Sequence, residues 1–356
     1  MSVETPLPIA IAEGISQRVV GQDEAVREVS IALAKRLAGL RTGNVLMIGS
    51  SGTGKTTLMR AVEEYLGADE ALAAQTMLIR VHANVLAEHA EEGRGGEVLL
   101  RRLLDKARED LGRDVEVDTL LERVGRGIVF VDEVDKIRAW VGDQPNVPGI
   151  RAQESLLTLI ENEAIPFSLP DWAGGGTVTF DASHLLFVCA GAFEGLYDAV
   201  YDRITVGRDR GTLQGVSVME GGQVHHEMRF SLRDWLRYED LFDYGMTPQF
   251  LSRFDAHVLL NDLGQRELVD IFLNSPESGY HETRAYFEAV GVQLAISPAA
   301  VRRIAQEAGK QPRLGARALK EVFRRVVRDY EFAPHDAARD GTLMIDLPEV
   351  DSALGD

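Results

Sequence analysis

The sequence predicts an α/β fold, a parallel sheet sandwiched by helices and followed by a small, mainly helical domain. Three observations predict it. Short apolar runs alternate with helical segments from the N-terminus to about residue 262, the pattern of a parallel sheet covered on both faces. The segment "GSSGTGKTT", Gly49 to Thr57, fits G-x-x-x-x-G-K-[ST] and lies between one such apolar run and a helix, the context a phosphate-binding loop requires. Near Asp262 the texture changes to helices with two short strands. The expected domains are therefore residues 1–262 and 263–356.

Taken in order, Gln22 to Leu37 reads as an amphipathic helix, with Asp23 and Glu24 in its first turn and Lys35 and Arg36 in its last, which complements the helix dipole. "NVLMIG" is a buried strand that a glycine stops, and a helix over 54–66 follows. Next come a strand at "MLIRVHA", a glycine-punctuated charged loop from Leu86 to Leu100, and a helix around Val98 to Leu111. "GIVFVDE" and "HLLFVCAG" are further buried strands, with the helix "QESLLTLIEN" between them. "GVSVMEGGQVHHEMRF" reads as a β-hairpin turning at Glu-Gly-Gly. His225 and His226 would fall on opposite faces of its second strand, which argues against a shared metal. In the second domain, the short strands are "VQLAIS" and "TLMIDL". A long helix from Gly315 gathers Leu319, Val322, Phe323, Val326 and Tyr330 on one face.

Composition limits the function. With 356 residues and 45% apolar content, the chain can bury a sizeable core. A formal net charge of −18 argues against nucleic acid or anionic lipid as the main partner. The single cysteine, Cys189, excludes an intrachain disulfide framework and a thiolate zinc cluster. There is no basic start leading into an apolar run, and no stretch of roughly 18 uninterrupted apolar residues. A cytoplasmic protein without a membrane partner is expected.

The chemistry is carried by two motifs. Within Ser51, Gly52, Thr53, Gly54, Lys55, Thr56 and Thr57, the glycines let the backbone turn its N–H groups toward a polyphosphate, the helix N-terminus adds partial positive charge, and Lys55 reaches the terminal phosphates. Thr56 would ligate Mg²⁺. "GIVFVDEVDK" then ends a hydrophobic strand in two acids, Asp132 to hold the magnesium shell and Glu133 to orient and polarise an attacking water. ATP and Mg²⁺ are the expected cofactors.

"VVGQDEAV", "GSSGTGKTT", "GIVFVDEVDKI", "LLFVCAGAFEGL", "MTPQFLSRFD" and "LGARALK" occur in the order found in AAA+ ATPases. Their wording most resembles the ClpX and HslU branch of ring-forming protein unfoldases, and the resemblance covers nearly the whole chain. It implies a large AAA+ P-loop NTPase domain, a small helical lid, ATP between them and a homo-hexameric ring acting on a protein substrate or client. It also implies that Val20 and Gln22 sit at the adenine. Arg253 matches the arginine finger projected into a neighbouring subunit, and Arg317 matches the lid arginine that senses the γ-phosphate.

The departures from the family bear on what the ring would do. ClpX-like chains usually begin with a zinc-binding domain; here only a short leader precedes "VVGQ". The polar sensor that usually ends the strand "LLFVCAG" has only Cys189, Ala190 and Gly191 as candidates. The aliphatic-Gly-Phe loop that docks a peptidase is not visible between Tyr197 and Met246, which argues against a ClpP-type peptidase partner. At the channel loop, where the family presents a glycine, an aromatic, an aliphatic residue and a glycine, the matching positions are Ala90, Glu91, Glu92 and Gly93. The second channel segment, between Pro166 and Phe180, carries Trp172 but no basic cluster. The expected function is a ClpX-like ATPase that remodels one protein partner. Two alternatives stay open at this point: an ATP-controlled scaffold or loader that threads nothing, and a nucleic-acid-associated ATPase, which the acidic composition disfavours.

Overall fold

Five segments pair into the main sheet, in the order Phe254–Leu259, Asn44–Ile48, Leu186–Gly191, Gly127–Asp132 and Met77–His82. The computed structural model describes residues 5–90, 95–161, 164–205, 215–220, 223–228 and 232–355. Strand neighbours that are distant in sequence require crossover connections, which the intervening helices supply. Asn44–Ile48 and Leu186–Gly191 are buried at every residue, and Gly127–Asp132 at all but Asp132, as their unbroken apolar runs predict. Gly127–Asp132 pairs parallel with Leu186–Gly191, from Ile128 opposite Leu186 to Val131 opposite Cys189. Met77–His82, last in the order, instead alternates: Met77, Ile79 and Val81 are buried while Arg80 and His82 are exposed.

The chain divides into two compact units, Met1–Leu78 with Ala256–Asp356, and Ile79–Asp255. In the first unit, helices Pro8–Ser16, Asp23–Leu37 and Lys55–Gly67 bury Ile11, Ile15, Val29, Leu33, Leu58 and Val62. Pro8–Ser16 and the short Glu70–Gln75 are helices that the sequence reading passes over. Residues from Leu263 to Val350 build a core of their own, in which Phe272 and Phe323 meet edge to face at 5.0 Å. Helix Ala316–Phe332 buries Leu319, Val322, Phe323 and Val326, with Tyr330 half-buried beside them, so the expected stripe is present. Gln293–Ile296 and Thr342–Ile345 pair in parallel. A final helix, Leu347–Leu354, starts at a capping box formed by Asp346 and Glu349.

The second unit corrects one expectation. Leu86 to Leu100 is not a continuous loop: helix Ala83–Ala90 follows the strand directly, and helix Gly95–Leu111 begins before Val98. Burial of Ala83 and Leu86 on one side, and of Leu99, Leu100, Leu103, Leu104 and Ala107 on the other, overrides the glycine signal because helix stability comes mainly from packing an apolar face. A Cβ at Gly96 would lie 3.3 Å from Leu159 Cγ and 3.4 Å from the Ser155 carbonyl, so it permits close approach to helix Val147–Glu161. Glu91, Glu92 and Gly93 lie outside the described residues. Gly215–Glu220 and Gln223–Met228 form the expected antiparallel hairpin, with Glu220 opposite Gln223. Ala164–Ser168 and Thr177–Asp181 form another hairpin, closed underneath by Phe167 and Phe180, whose rings are 6.4 Å apart. Among the described residues no helix is long and apolar enough to cross a membrane.

Candidate nucleotide site

The phosphate-loop residues are organised within the first unit. Strand Asn44–Ile48 ends at a turn in which Gly52 and Gly54 take φ of +72° and +103°, and helix Lys55–Gly67 starts immediately after. A side chain would strain either glycine. Thr53 is buried, and its hydroxyl donates to the Ser50 carbonyl at 2.8 Å. Lys55, 9% exposed, donates from Nζ to the carbonyls of Gly49 at 2.5 Å and Ser50 at 2.8 Å. The lysine is thereby folded over the loop. Thr56 is exposed and Thr57 half-buried in the first helical turn.

Arg317 comes to this loop from far along the chain. Its Nη1 donates to Ser51 Oγ at 2.5 Å, and the Ala316 N–H donates to the Gly52 carbonyl at 3.0 Å. The approach is tight: a Cβ at Gly52 would lie 2.2 Å from the Leu314 carbonyl, and one at Gly315, φ +51°, 2.6 Å from the Gly52 carbonyl. Gln22 is 1% exposed and spends its amide on backbone. Its Nε2 donates to the carbonyls of Thr53 and Asn261, both at 2.9 Å, and its Oε1 accepts from the Asn261 N–H at 2.8 Å. The residue thus ties the phosphate loop to the 260–262 segment, and its amide is already satisfied without a base. Val20 is half-buried nearby in sequence. Asn261 Nδ2 closes the same knot by donating to the Gly21 carbonyl at 2.9 Å. Partial desolvation holds the Asp262 carboxyl above its ordinary range, against a hydrogen bond from Ser50 that lowers it.

The carboxylates are organised within the second unit. Strand Gly127–Asp132 delivers Asp132 to its end, where Oδ1 accepts from the Glu133 N–H at 2.9 Å. Glu133 stands at φ 60°, ψ 35°, a left-handed conformation that costs a non-glycine residue of order 1–3 kcal/mol. Its carboxylate is 3.8 Å from His82 Nδ1, and both side chains are open to solvent. A 3-10 turn, Val134–Lys136, follows. Asp135, 1% exposed, accepts from the Ala192 N–H at 3.0 Å, and a Cβ at Gly191 would come within 2.7 Å of it. Cys189, Ala190 and Gly191 are all buried, and burial pushes the Cys189 thiol well above its ordinary value. The polar group meeting this strand end is therefore Asp135, which the sequence reading did not single out.

Arg253 follows helix Pro248–Leu251 and pairs with Glu161. Gln153, also missed from sequence, is 1% exposed and bridges Ile137 to the 245–247 segment. A glutamine at a core position of an otherwise amphipathic helix was the available signal. Trp172, between Pro166 and Phe180, lies beneath the Arg108 guanidinium, whose Cζ is 4.0 Å from the indole ring centroid, a cation–π contact.

The chain is 28% identical to the ATP-dependent Clp protease ATP-binding subunit ClpX of Porphyromonas gingivalis, over 99% of this chain and 83% of the relative. It is equally identical to the same-named proteins of Bacteroides thetaiotaomicron, over 96% of this chain and 81% of that one, and of Treponema denticola, over 92% and 77%. The model of the AAA domain (Cdc48 subfamily) matches residues 40–257, which contain both the phosphate loop and the carboxylate turn. The chain belongs to the AAA domain family, as a ClpX-like ATPase that binds and hydrolyses ATP.

Proposed function

We propose that this ATPase works as a ring, most simply a homo-hexamer, which hydrolyses ATP at subunit interfaces to remodel one protein partner in the cytoplasm without a ClpP-type peptidase. The nucleotide site would lie between a large domain, residues 1–262, and a lid, residues 263–356. Thr56 and Asp132, a hydroxyl and a carboxylate of the hard oxygen type that Mg²⁺ prefers, would hold the ion. When bound, the ion supplies charge neutralisation for the phosphates.

Each remaining role falls to a residue already placed. Ser51 to Thr57 cradle the phosphates, and Lys55 exchanges its carbonyl partners for phosphate oxygens. Glu133 holds and polarises water. Arg253, released from Glu161, reaches the neighbouring subunit's site, and Arg317 reads the phosphate from the lid side. Val20 and Gln22 shape the base pocket, with Gln22 acting through the backbone it fixes.

The observation that carries the partner-specific reading is the pair Glu91 and Glu92, at the positions where the resemblance to ClpX-like rings implies an aromatic and an aliphatic residue. Carboxylates repeated around a channel favour a basic or specifically docked segment over generic polypeptide. The same pair favours a second reading, a nucleotide-controlled scaffold that threads nothing. An affinity capture with Glu133→Gln tests the proposal: partner protein is retained with ATP and released without it. Identical captures in both conditions would count against it.

A further inference from the structure

The carboxylate turn and the arginine-finger segment are joined by one buried side chain. Gln153 Nε2 donates to the Ile137 carbonyl at 2.7 Å and the Gly245 carbonyl at 3.1 Å, while its Oε1 accepts from both the N–H and the hydroxyl of Thr247 at 2.9 Å. All of the amide's principal valences are used. Ile137 ends the turn that begins at Glu133, where the Lys136 N–H returns to the Glu133 carbonyl at 2.9 Å. Thr247 is the N-cap of helix Pro248–Leu251, its hydroxyl accepting from the Phe250 N–H, and the Arg253 N–H closes on the Phe250 carbonyl at 3.2 Å.

Two turns further along the same helix, Glu161 pairs with Arg253 itself. Helix Val147–Glu161 therefore holds the finger segment at both ends. The Ala139 N–H adds a second tie, to the Gly245 carbonyl at 2.7 Å. Phe250 and Leu251 are fully buried, so a displacement at Thr247 has little room to dissipate before Arg253, since close-packed interiors transmit strain.

We propose that Gln153 is a positioning residue that holds the Arg253 segment against this subunit's own carboxylate turn, so that the finger offered to the next subunit depends on it. This rests on the trans role given to Arg253 above. A residue that merely stabilised its own subunit would impair that subunit's own ATP site, whereas a finger-positioning residue leaves that site competent and spoils the neighbour's.

The test mixes chains. Gln153→Met alone should lose at least about tenfold of ATP turnover, the order expected for a misplaced catalytic group. Mixed in verified rings with Lys55→Ala, it should regain activity, because an interface then pairs an intact site with a well-set Arg253. Arg253→Ala mixed with Lys55→Ala is the parallel arm. Recovery in that arm but none with Gln153→Met would overturn the proposal while leaving the trans finger standing. No recovery in either arm would remove the trans finger, and the proposal with it. Full turnover by Gln153→Met alone would also overturn it. Should Gln153→Met fail to fold by thermal melting, Thr247→Val repeats the same arms. It removes one of the two donors to Oε1 and leaves Gln153 in place, and the same recovery is expected and the same failures decisive.

Discussion

The phosphate loop and the carboxylate turn both require left-handed backbone, and they meet the requirement in opposite ways. In the phosphate loop, Gly52 and Gly54 take positive φ where no side chain is wanted, and Gly52 leaves room for the Leu314 carbonyl. In the carboxylate turn the proposed function gives the chemistry to the side chain, and Glu133 takes φ 60° and carries the strain. Space governs one motif and chemistry governs the other. Substitutions in the two should consequently separate nucleotide binding, turnover and stability.

The largest effect is expected at the strained residue. Glu133→Gln keeps the backbone and the shape but removes water polarisation, so turnover should fall by roughly 10²- to 10⁴-fold with ATP affinity nearly unchanged. Steady-state hydrolysis beside equilibrium nucleotide binding checks it, and parent-like turnover would end the role given to Glu133. Next comes Lys55→Ala, which removes a charged donor from the cradle. A loss of about 2–3 kcal/mol, roughly 30- to 150-fold in Kd, is the expectation. Here binding moves, not only turnover.

Stability sharpens the contrast further. Gly52→Ala places a methyl against backbone and should lower the thermal midpoint together with nucleotide affinity. Glu133→Gly should abolish turnover yet raise the midpoint by about 2 °C, because about 1 kcal/mol of strain is relieved. Equal destabilisation by both would erase the distinction between the two motifs. The smallest effect is expected from replacing Glu91 and Glu92 together by glutamine: basal hydrolysis is kept, and action on the true partner weakens a few-fold, more at low salt. A partner assay indifferent to the double substitution would refute charge selection.

What could be read from the sequence follows from how local each feature is. The phosphate loop, the buried strands and the hairpin at Glu220 were legible because glycine spacing, apolar runs and a Glu-Gly-Gly turn act over a few residues. Arg317 was legible only through the resemblance, since its contact with Ser51 spans 266 positions. Helix Ala83–Ala90 was not legible, because polar residues and nearby glycines imitate a loop while Ala83 and Leu86 find their burial in distant elements. Gln153 escaped for a related reason. Its partners, Ile137, Gly245 and Thr247, offer mostly backbone groups, which leave no trace in side-chain patterns. Asp135 likewise meets a backbone N–H, that of Ala192. Gln22 was placed at the base by resemblance, whereas its amide is engaged by Thr53 and Asn261.

The proposed function joins a ClpX-like nucleotide machinery to segments that select one partner, and one measurement tests that proposal most directly. A fluorescent protein bearing a generic degradation tag is incubated with the unmodified chain and ATP, with hydrolysis followed in the same sample. The account predicts steady ATP hydrolysis with no loss of fluorescence, with or without a ClpP-type peptidase; hydrolysis accompanied by unfolding of the tagged protein would contradict it.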